Sequence, residues 1–169
     1  MKAERGDEAL RRFRISSPGA DYFLTVNLAD KNGPNLTPVA RHAVRAEIEA
    51  IENSGHWHVR GAVIMPDHLH LLATLGPSLP ISRAVARLKS KTRAALAAAN
   101  TCWQDNYYEH RLRPHEDVGK VLLYIFLNPY RAALIPAAEQ YPWFWLGHAE
   151  KEWFEPGLSD GRPFAEWLR

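Results

Sequence analysis

The sequence predicts an α+β fold in which helices pack on one face of an antiparallel, ferredoxin-like sheet. One observation behind this prediction is the order of hydrophobic patterns along the chain, which runs strand, helix, hairpin, helix, short strand, helix. The other is that 169 residues, 46% of them hydrophobic, suffice for one domain with one core. We expect an N-terminal arm over residues 1–20, a single domain over residues 21–146 and a C-terminal tail over residues 147–169.

The first half of the pattern contains a strand, a helix and a hairpin. Residues 22–28 are aromatic and β-branched and precede a turn, which is typical of a strand. Thr37 and Pro38 are typical of a helix start, and apolar residues then recur at helical spacing until Gly55. Residues 57–65 and 68–75 are two short β-rich runs with a tight connection, so they predict an antiparallel hairpin.

The second half contains two helices separated by a short strand. Residues 82–100 have one apolar face, and Ser82 can cap their start. The aromatic and charged stretch that follows predicts one short strand. A third helix is expected from about residue 117 to residue 127, because the residue before Pro129 is pushed out of the α region. No helix or strand is predicted after Pro142.

Composition limits the compartment and the partners. Since 21 Lys+Arg against 19 Asp+Glu leave a net charge of only +2, any nucleic-acid site must be a local basic surface. A single cysteine, Cys102, cannot form a disulfide framework, and no secretory leader opens the chain, so we expect a cytoplasmic protein. No apolar run reaches the roughly 18–20 residues of a membrane span, which argues against a membrane partner.

His68 and His70 are candidate metal ligands. Side chains at i and i+2 of a strand leave on the same face, so the two imidazoles are directed at one point while Leu69 faces the core. Two protein ligands leave coordination positions for substrate oxygens and water. In isolation, a His-x-His motif more often has a structural or surface role than a metal-binding one. The chain holds a second copy, His56-Trp57-His58, which precedes its strand and which we interpret as solvent-exposed.

Tyr124 is the candidate nucleophile, and Asn128 lies one turn further along the same flank of the third helix. A phenol is a poor nucleophile at neutral pH until a cation or a base favours the phenolate. A metal ion nearby would do this and would also polarise a phosphate oxygen. The alternative interpretation of Tyr124 is an ordinary half-buried tyrosine.

Basic residues are candidates for DNA binding. On the second helix no acidic residue lies among them. Arg83, Arg87 and Lys91 are spaced i, i+4 and i+8, so they lie along one stripe of the helix surface that could follow a phosphate backbone. The full set is Arg83, Arg87, Lys89, Lys91 and Arg93 on this helix, Arg111 and Arg113 after it, and Arg11, Arg12 and Arg14 in the arm. A solvated helix face and a solvated tail are the alternatives.

Four motifs, in order, give the chain a resemblance to a known family. They are YFLTVNL at 22–28, MPDHLH at 65–70, WQ at 103–104 followed by YEH at 108–110 and Arg113, and YIFLNP at 124–129 followed by RA at 131–132. On these motifs the sequence resembles the REP-associated tyrosine transposases, members of the wider single-tyrosine transposase group with a His-hydrophobe-His motif. The resemblance covers about residues 20 to 146.

The resemblance implies a ferredoxin-like catalytic domain that nicks and rejoins single-stranded DNA through a 5′-phosphotyrosine. It implies bound Mg²⁺ or Mn²⁺ and palindromic repeats that fold into hairpins as the DNA partner. By position, His68 and His70 are the metal pair, Tyr124 is the nucleophile and Asn128 is the third ligand. Relatives place a glutamine where Asn128 stands. A monomer and a homodimer, with the tyrosine acting in its own subunit or in its partner, both stay open.

Two other functions also stay open at this point. The first is a DNA-hairpin-binding protein without physiological strand transfer, because every residue that binding needs is also present in an active enzyme. The second is a metal-dependent phosphodiesterase that uses water in place of tyrosine. Cleavage of labelled single strands with and without Mg²⁺ distinguishes the binding protein from an active enzyme. Cleavage without a covalent protein adduct identifies the phosphodiesterase.

Overall fold

The computed structural model describes residues 16–168, which form a five-stranded antiparallel sheet with helices on both faces. The elements in chain order are β1 (Asp21–Asn27), α1 (Pro38–Asn53), β2 (Trp57–Ile64), β3 (His68–Leu75), α2 (Ile81–Ala98), β4 (Tyr108–Arg111), α3 (Val118–Arg131), β5 (Phe144–Leu146) and α4 (His148–Phe154), followed by 3₁₀ turns at Glu155–Gly157 and Ala165–Leu168. Within this range no helix is both long enough and apolar enough to cross a membrane.

The elements from β1 to β4 have the connectivity of a ferredoxin-like unit, strand-helix-strand-strand-helix-strand. The strand order is β4-β1-β3-β2-β5, and every neighbouring pair is antiparallel. The α+β class and the ferredoxin-like sheet are therefore confirmed. Strand β5 extends this sheet at the outer side of β2.

Helices α1 and α2 cover one face of the sheet, which we call the upper face. Their apolar side chains, such as Val44 and Leu88, join alternate strand residues such as Leu24 and Leu69 in one buried cluster. Local signals set the start of α1, because the Thr37 hydroxyl accepts a hydrogen bond from the Ala40 amide at 3.2 Å. Helix α2 begins at Ile81 without a side-chain cap from Pro80, so the predicted role of Ser82 is wrong.

Helix α3 covers the opposite, lower face, so the prediction that the helices pack on one face is wrong for this helix. Its residues Leu122 and Phe126 belong to a second buried cluster, together with Val63 and Leu72 from the lower side of β2 and β3. Gly61 lets the helix approach the sheet, since a Cβ there would lie 2.5 Å from Leu122 Cδ2. The sheet therefore separates two cores.

Helix α3 is also longer than predicted, because it continues through Pro129 to Arg131. A proline inside a helix removes one backbone hydrogen bond and disfavours the helical conformation of the preceding residue. Here Pro129 and Tyr130 are buried against the lower core, and the Ala132 amide donates to the Asn128 carbonyl at 3.0 Å. Burial of the last turn outweighs the local preference, which keeps Asn128 on the helix.

The chain after Pro142 carries elements that the sequence did not predict. Strand β5 has three residues, too few for a periodic pattern. Helix α4 follows, and its Phe154 packs in the lower core. Arg60 on β2 fixes this helix, since its Nε donates to Glu150 Oε1 at 2.7 Å. The carboxylates of Glu150 and Asp21 raise the pKa of Arg60 although burial opposes this.

Candidate metal centre and nucleophile

His68 and His70 project together from the start of β3 onto the lower face of the sheet. The residue between them, Leu69, points into the core above the sheet, as the two-residue period of a strand requires. The two Nε2 atoms are 3.1 Å apart, and the rings meet edge to face with centroids 4.6 Å apart. The predicted convergence of the two imidazoles is therefore present.

Each histidine has a hydrogen-bond partner at its other ring nitrogen. Asp67 Oδ1 is 2.7 Å from His68 Nδ1, and Thr25 Oγ1 is 2.8 Å from His70 Nδ1. The Asp67 carboxylate accepts from an Nδ1–H, so the Nε2 of neutral His68 carries a lone pair. A threonine hydroxyl either donates or accepts, so Thr25 is compatible with both tautomers of His70.

Burial keeps His70 neutral. The residue is only 5% exposed, and its loss of solvation, reinforced by the neighbouring His68, lowers the pKa of His70 to about 3. The nearby Asp67 carboxylate acts in the opposite direction but does not compensate. A neutral imidazole is the form that ligates metals, so His70 has the protonation state that an ion would require at physiological pH.

The spacing of the histidines fits a divalent ion. Two nitrogens bound to one ion at about 2.1 Å and at a right angle lie about 3 Å apart, and the two Nε2 atoms are separated by 3.1 Å. Within residues 16–168 no group of three or more His, Cys, Asp or Glu residues could hold a metal. Within this range a third protein ligand would be of another type, such as an amide oxygen.

Asn128 is the amide residue that the family resemblance implies as the third ligand. It lies one turn after Tyr124 on α3, and its Nδ2 donates to the Tyr124 carbonyl at 3.2 Å. This hydrogen bond uses the nitrogen and leaves Oδ1 as the atom suited to Mg²⁺ or Mn²⁺, which prefer oxygen ligands.

Tyr124 lies beside the histidine pair on the lower face. Its ring centroid is 5.4 Å from that of His70, and the residue is 44% exposed, so its side chain is open to solvent. Phe23 from β1 contacts both rings, stacked on His70 at 5.4 Å and edge-on to Tyr124 at 5.8 Å. The structure thus brings together the predicted nucleophile and the predicted metal pair from distant parts of the sequence.

Three residues of this site were not predicted as part of it. Asp67 was interpreted only as a turn residue, although a carboxylate next to a ligating histidine is a usable signal. Thr25 and Phe23 carry no signal of their own, because their roles depend on the pairing of β1 with β3, in which Thr25 lies opposite His70.

The basic residues of α2 lie on the far side of the sheet from the histidine pair, since this helix packs on the upper face. Arg87 donates to Glu47 of α1 at 2.8 Å. Lys89 donates to the carbonyl oxygens of residues 104–106 at 2.7, 3.0 and 3.1 Å. Arg83, Lys91 and Arg93 are exposed. The structure therefore does not bring this set to the candidate metal centre.

The remaining predicted DNA-binding residues are at the edge of the sheet or outside the described range. Arg111 ends the edge strand β4 and Arg113 follows it, and both are exposed. The backbone amide of Arg113 donates to the Glu116 carboxylate at 2.6 Å. Arg11, Arg12 and Arg14 lie outside the described residues.

The second His-x-His copy does not form a comparable site. The His58 side chain is 86% exposed and pairs with Glu52 at 3.3 Å. His56 Nδ1 contacts the Ser78 hydroxyl at 2.8 Å, and Trp57 between them is buried. The solvent-exposed interpretation is confirmed for His58.

Comparison with known proteins gives consistent matches. The family described as "Transposase IS200 like" matches residues 31–125. The chain is 25% identical over 135 residues to the REP-associated tyrosine transposase of Escherichia coli (strain K12), which is 78% of each protein. A solved structure of a REP-associated tyrosine transposase bound to a REP hairpin superposes with a TM-score of 0.68 at 21% identity, covering 90% of this chain and 93% of that one. The last match supports the fold.

Proposed function

Since the chain belongs to the family of IS200-like transposases, we propose that it nicks and rejoins single-stranded DNA through a 5′-phosphotyrosine at Tyr124, with bound Mg²⁺ or Mn²⁺. The observation that carries the proposal is the contact between the predicted nucleophile and the histidine pair. The rings of Tyr124 and His70 are 5.4 Å apart, and the two Nε2 atoms converge to 3.1 Å.

In this mechanism His68, His70 and Asn128 would hold the ion, which would act as a Lewis acid toward a phosphate oxygen and would favour the phenolate. Tyr124 Oη attacks the phosphorus, so that a Tyr–O–P bond forms and the P–O3′ bond breaks. The phenolic proton leaves to solvent, and the released 3′ oxygen takes up a proton. Attack by a 3′-hydroxyl on the phosphotyrosine reverses these bond changes and rejoins a strand.

The proposed partner is a single-stranded DNA hairpin, as the REP hairpin is for the structural relative. Arg113, exposed just after β4, is the basic residue of this edge that contacts the cleaved strand in this proposal, because Arg111 lies opposite the buried Tyr22 and so projects to the upper face. Arg83, Lys91 and Arg93 are on the other side of the sheet. In this proposal they contact the phosphates of the stem or of a flanking arm.

The test is covalent capture of DNA by the purified protein. We would incubate it with labelled single-stranded hairpins that carry randomised arms, in Mg²⁺, Mn²⁺ or EDTA. We expect an adduct that survives SDS, requires the ion and joins the protein to a DNA 5′ end. Tyr124→Phe should abolish it, whereas Tyr108→Phe, a second exposed tyrosine, should retain it. His68→Ala should abolish it and His58→Ala should not.

The outcomes of this assay also separate the alternatives. Cleavage without an adduct supports a phosphodiesterase that uses water. Hairpin binding with neither cleavage nor adduct in either ion supports a DNA-hairpin-binding protein. An adduct that persists in Tyr124→Phe contradicts the assignment of the nucleophile.

A further inference from the structure

Tyr108 is an exposed aromatic residue on the same face of the sheet as the histidine pair. Thr25 of β1 lies opposite His70 of β3 on one side and opposite Tyr108 of β4 on the other. Residues directly opposite each other in a sheet project to the same face, so the three side chains form a row across three strands. Tyr108 is 56% exposed at the outer end of this row.

The row spans a distance that suits one nucleotide. Neighbouring strands are about 4.8 Å apart, so Tyr108 lies about 10 Å from His70. The small side chain of Thr25 stands between them and is turned toward His70 by the contact at 2.8 Å. Phe23 supports Tyr108 edge-on, with ring centroids 6.2 Å apart, and it also contacts Tyr124. Phe23 thus contacts both Tyr108 and the candidate nucleophile.

Resting on the function proposed above, we propose that Tyr108 stacks on the base of an unpaired nucleotide adjacent to the phosphate that Tyr124 attacks. When the phosphate is at the histidine pair, the sugar packs against the Thr25 side chain on the lower face and the base reaches the exposed ring of Tyr108. Stacking accepts any base, so it selects for single strands rather than for sequence.

This arrangement excludes duplex DNA at the cleaved position. A base in a duplex is covered on both faces by its neighbours in the stack, so its face is unavailable to Tyr108. The base must therefore be unstacked and unpaired before it occupies the row. Tyr108 would contribute to recognition of a single-stranded arm, whereas the stem of a hairpin would contact other surfaces.

The binding test uses Tyr124→Phe protein in EDTA, so that no chemistry occurs. The probes are an oligothymidylate, an abasic backbone of equal length and charge, and a duplex. We expect Tyr108→Ala to weaken oligothymidylate binding about 5- to 150-fold and to change binding of the abasic and duplex probes less than about twofold. Tyr108→Phe should bind as the parent does. Tyr108→Leu, which keeps bulk without a π face, should behave like Tyr108→Ala.

The matched control is Trp153→Ala, since Trp153 is a 48% exposed aromatic that packs on Phe154 of α4. It should bind all probes as the parent does. Three results would each overturn the proposal. Tyr108→Ala could lose affinity equally for the oligothymidylate and the abasic backbone, Trp153→Ala could weaken oligothymidylate binding as much as Tyr108→Ala does, or Tyr108→Ala could bind the oligothymidylate as the parent does.

The position next to the cleaved phosphate is tested on the captured hairpin. Removal of the base beside the cleaved bond should reduce adduct formation by the wild type and should have no further effect on Tyr108→Ala. Additive effects of the two changes would contradict the proposed position. Loss of Tyr124-dependent adducts would instead contradict the proposed function, and the binding ratios measured in EDTA do not depend on that result.

Discussion

At the scale of single residues, the candidate centre depends on how His70 is held. The imidazole is nearly inaccessible, but its two nitrogens face Thr25 Oγ1 and His68 Nε2. A buried polar ring without such partners would be costly. The same burial makes the protonated form unfavourable, which links the site to the pH dependence of folding.

Acid should therefore destabilise the metal-free protein through His70. Its pKa falls from 6.5 in the unfolded chain to about 3 in the fold. Above pH 6.5 both states are neutral and the residue adds no pH dependence. Between these values only the unfolded state binds the proton, so lowering the pH removes up to about 1.4 kcal/mol of stability per unit.

This contribution can be isolated by urea unfolding in EDTA at several pH values between 6.5 and 5. The free energy of unfolding should fall less steeply for His70→Gln than for the wild type. His58→Gln, which changes a histidine whose side chain is 86% exposed, is the control for loss of a histidine. Parallel curves for the wild type and His70→Gln would refute the expected burial of a neutral imidazole.

The sequence predicted the chemical groups of the site but not their supports. His68 and His70 follow from a two-residue period, and Tyr124 and Asn128 from a helical one, so both pairs are local patterns. Thr25 lies 45 positions before His70, and only the pairing of β1 with β3 brings the two together. Side-chain partners that depend on strand register are not visible in a single sequence.

At the scale of secondary-structure elements, local sequence signals predicted helix ends correctly where they were strong, and they predicted them wrongly where burial opposed them. The end of α1 agrees with the prediction because Gly55 adopts a positive φ of 69° just after it. The end of α3 does not, because the buried Tyr130 stabilises a turn that Pro129 disfavours locally. A three-residue strand such as β5 is too short to show the two-residue hydrophobic period of a strand.

The junction between β5 and α4 depends on the absence of a side chain at Gly147. A Cβ there would lie 2.1 Å from the Val59 carbonyl oxygen and 2.7 Å from Glu150 Oε2. We expect Gly147→Ala to destabilise the protein by about 1–3 kcal/mol, because backbone atoms must move to accept the methyl group.

Thermal or denaturant unfolding would measure this effect, with Gly157→Ala as the control, since nothing lies within 4 Å of a Cβ at that position. The control should change stability by less than about 0.5 kcal/mol. If the two variants were equally stable, the close approach of β2 to this junction would not be a constraint in solution.

At the scale of the whole molecule, the sheet separates the candidate chemistry from the most basic helix. The histidine pair and Tyr124 lie on the lower face, and α2 lies above the upper face. The sequence predicted both groups but could not place them relative to each other, because patterns within one element do not show which face of the sheet another helix covers. The assignment of α3 to the wrong face has the same cause.

This separation predicts that the basic residues of α2 affect binding more than chemistry. Replacing both Arg83 and Lys91 with alanine should weaken hairpin binding and lower its salt dependence by about 0.7 to 0.9 log units per log unit of salt for each lost phosphate contact. At saturating DNA the rate of adduct formation should stay close to that of the wild type.

Binding isotherms at several salt concentrations would provide the slopes, with Lys151→Ala on the exposed side of α4 as the control. An unchanged slope in the double variant would show that α2 is a solvated face. A large loss of rate at saturation would place α2 close to the cleaved phosphate, contrary to its position in the fold.

The hydroxyl of Thr25 has a consequence for the proton balance of ion binding. Before an ion binds, His70 can donate an Nε2–H to His68 Nε2 at 3.1 Å while its Nδ1 accepts from Thr25 at 2.8 Å. Ligation through Nε2 requires the proton on Nδ1, and the same hydroxyl then rotates to accept it. The proton moves within one ring and is not released. The tautomer of His70 can therefore change without a change in the charge of that residue, because one hydroxyl serves both forms.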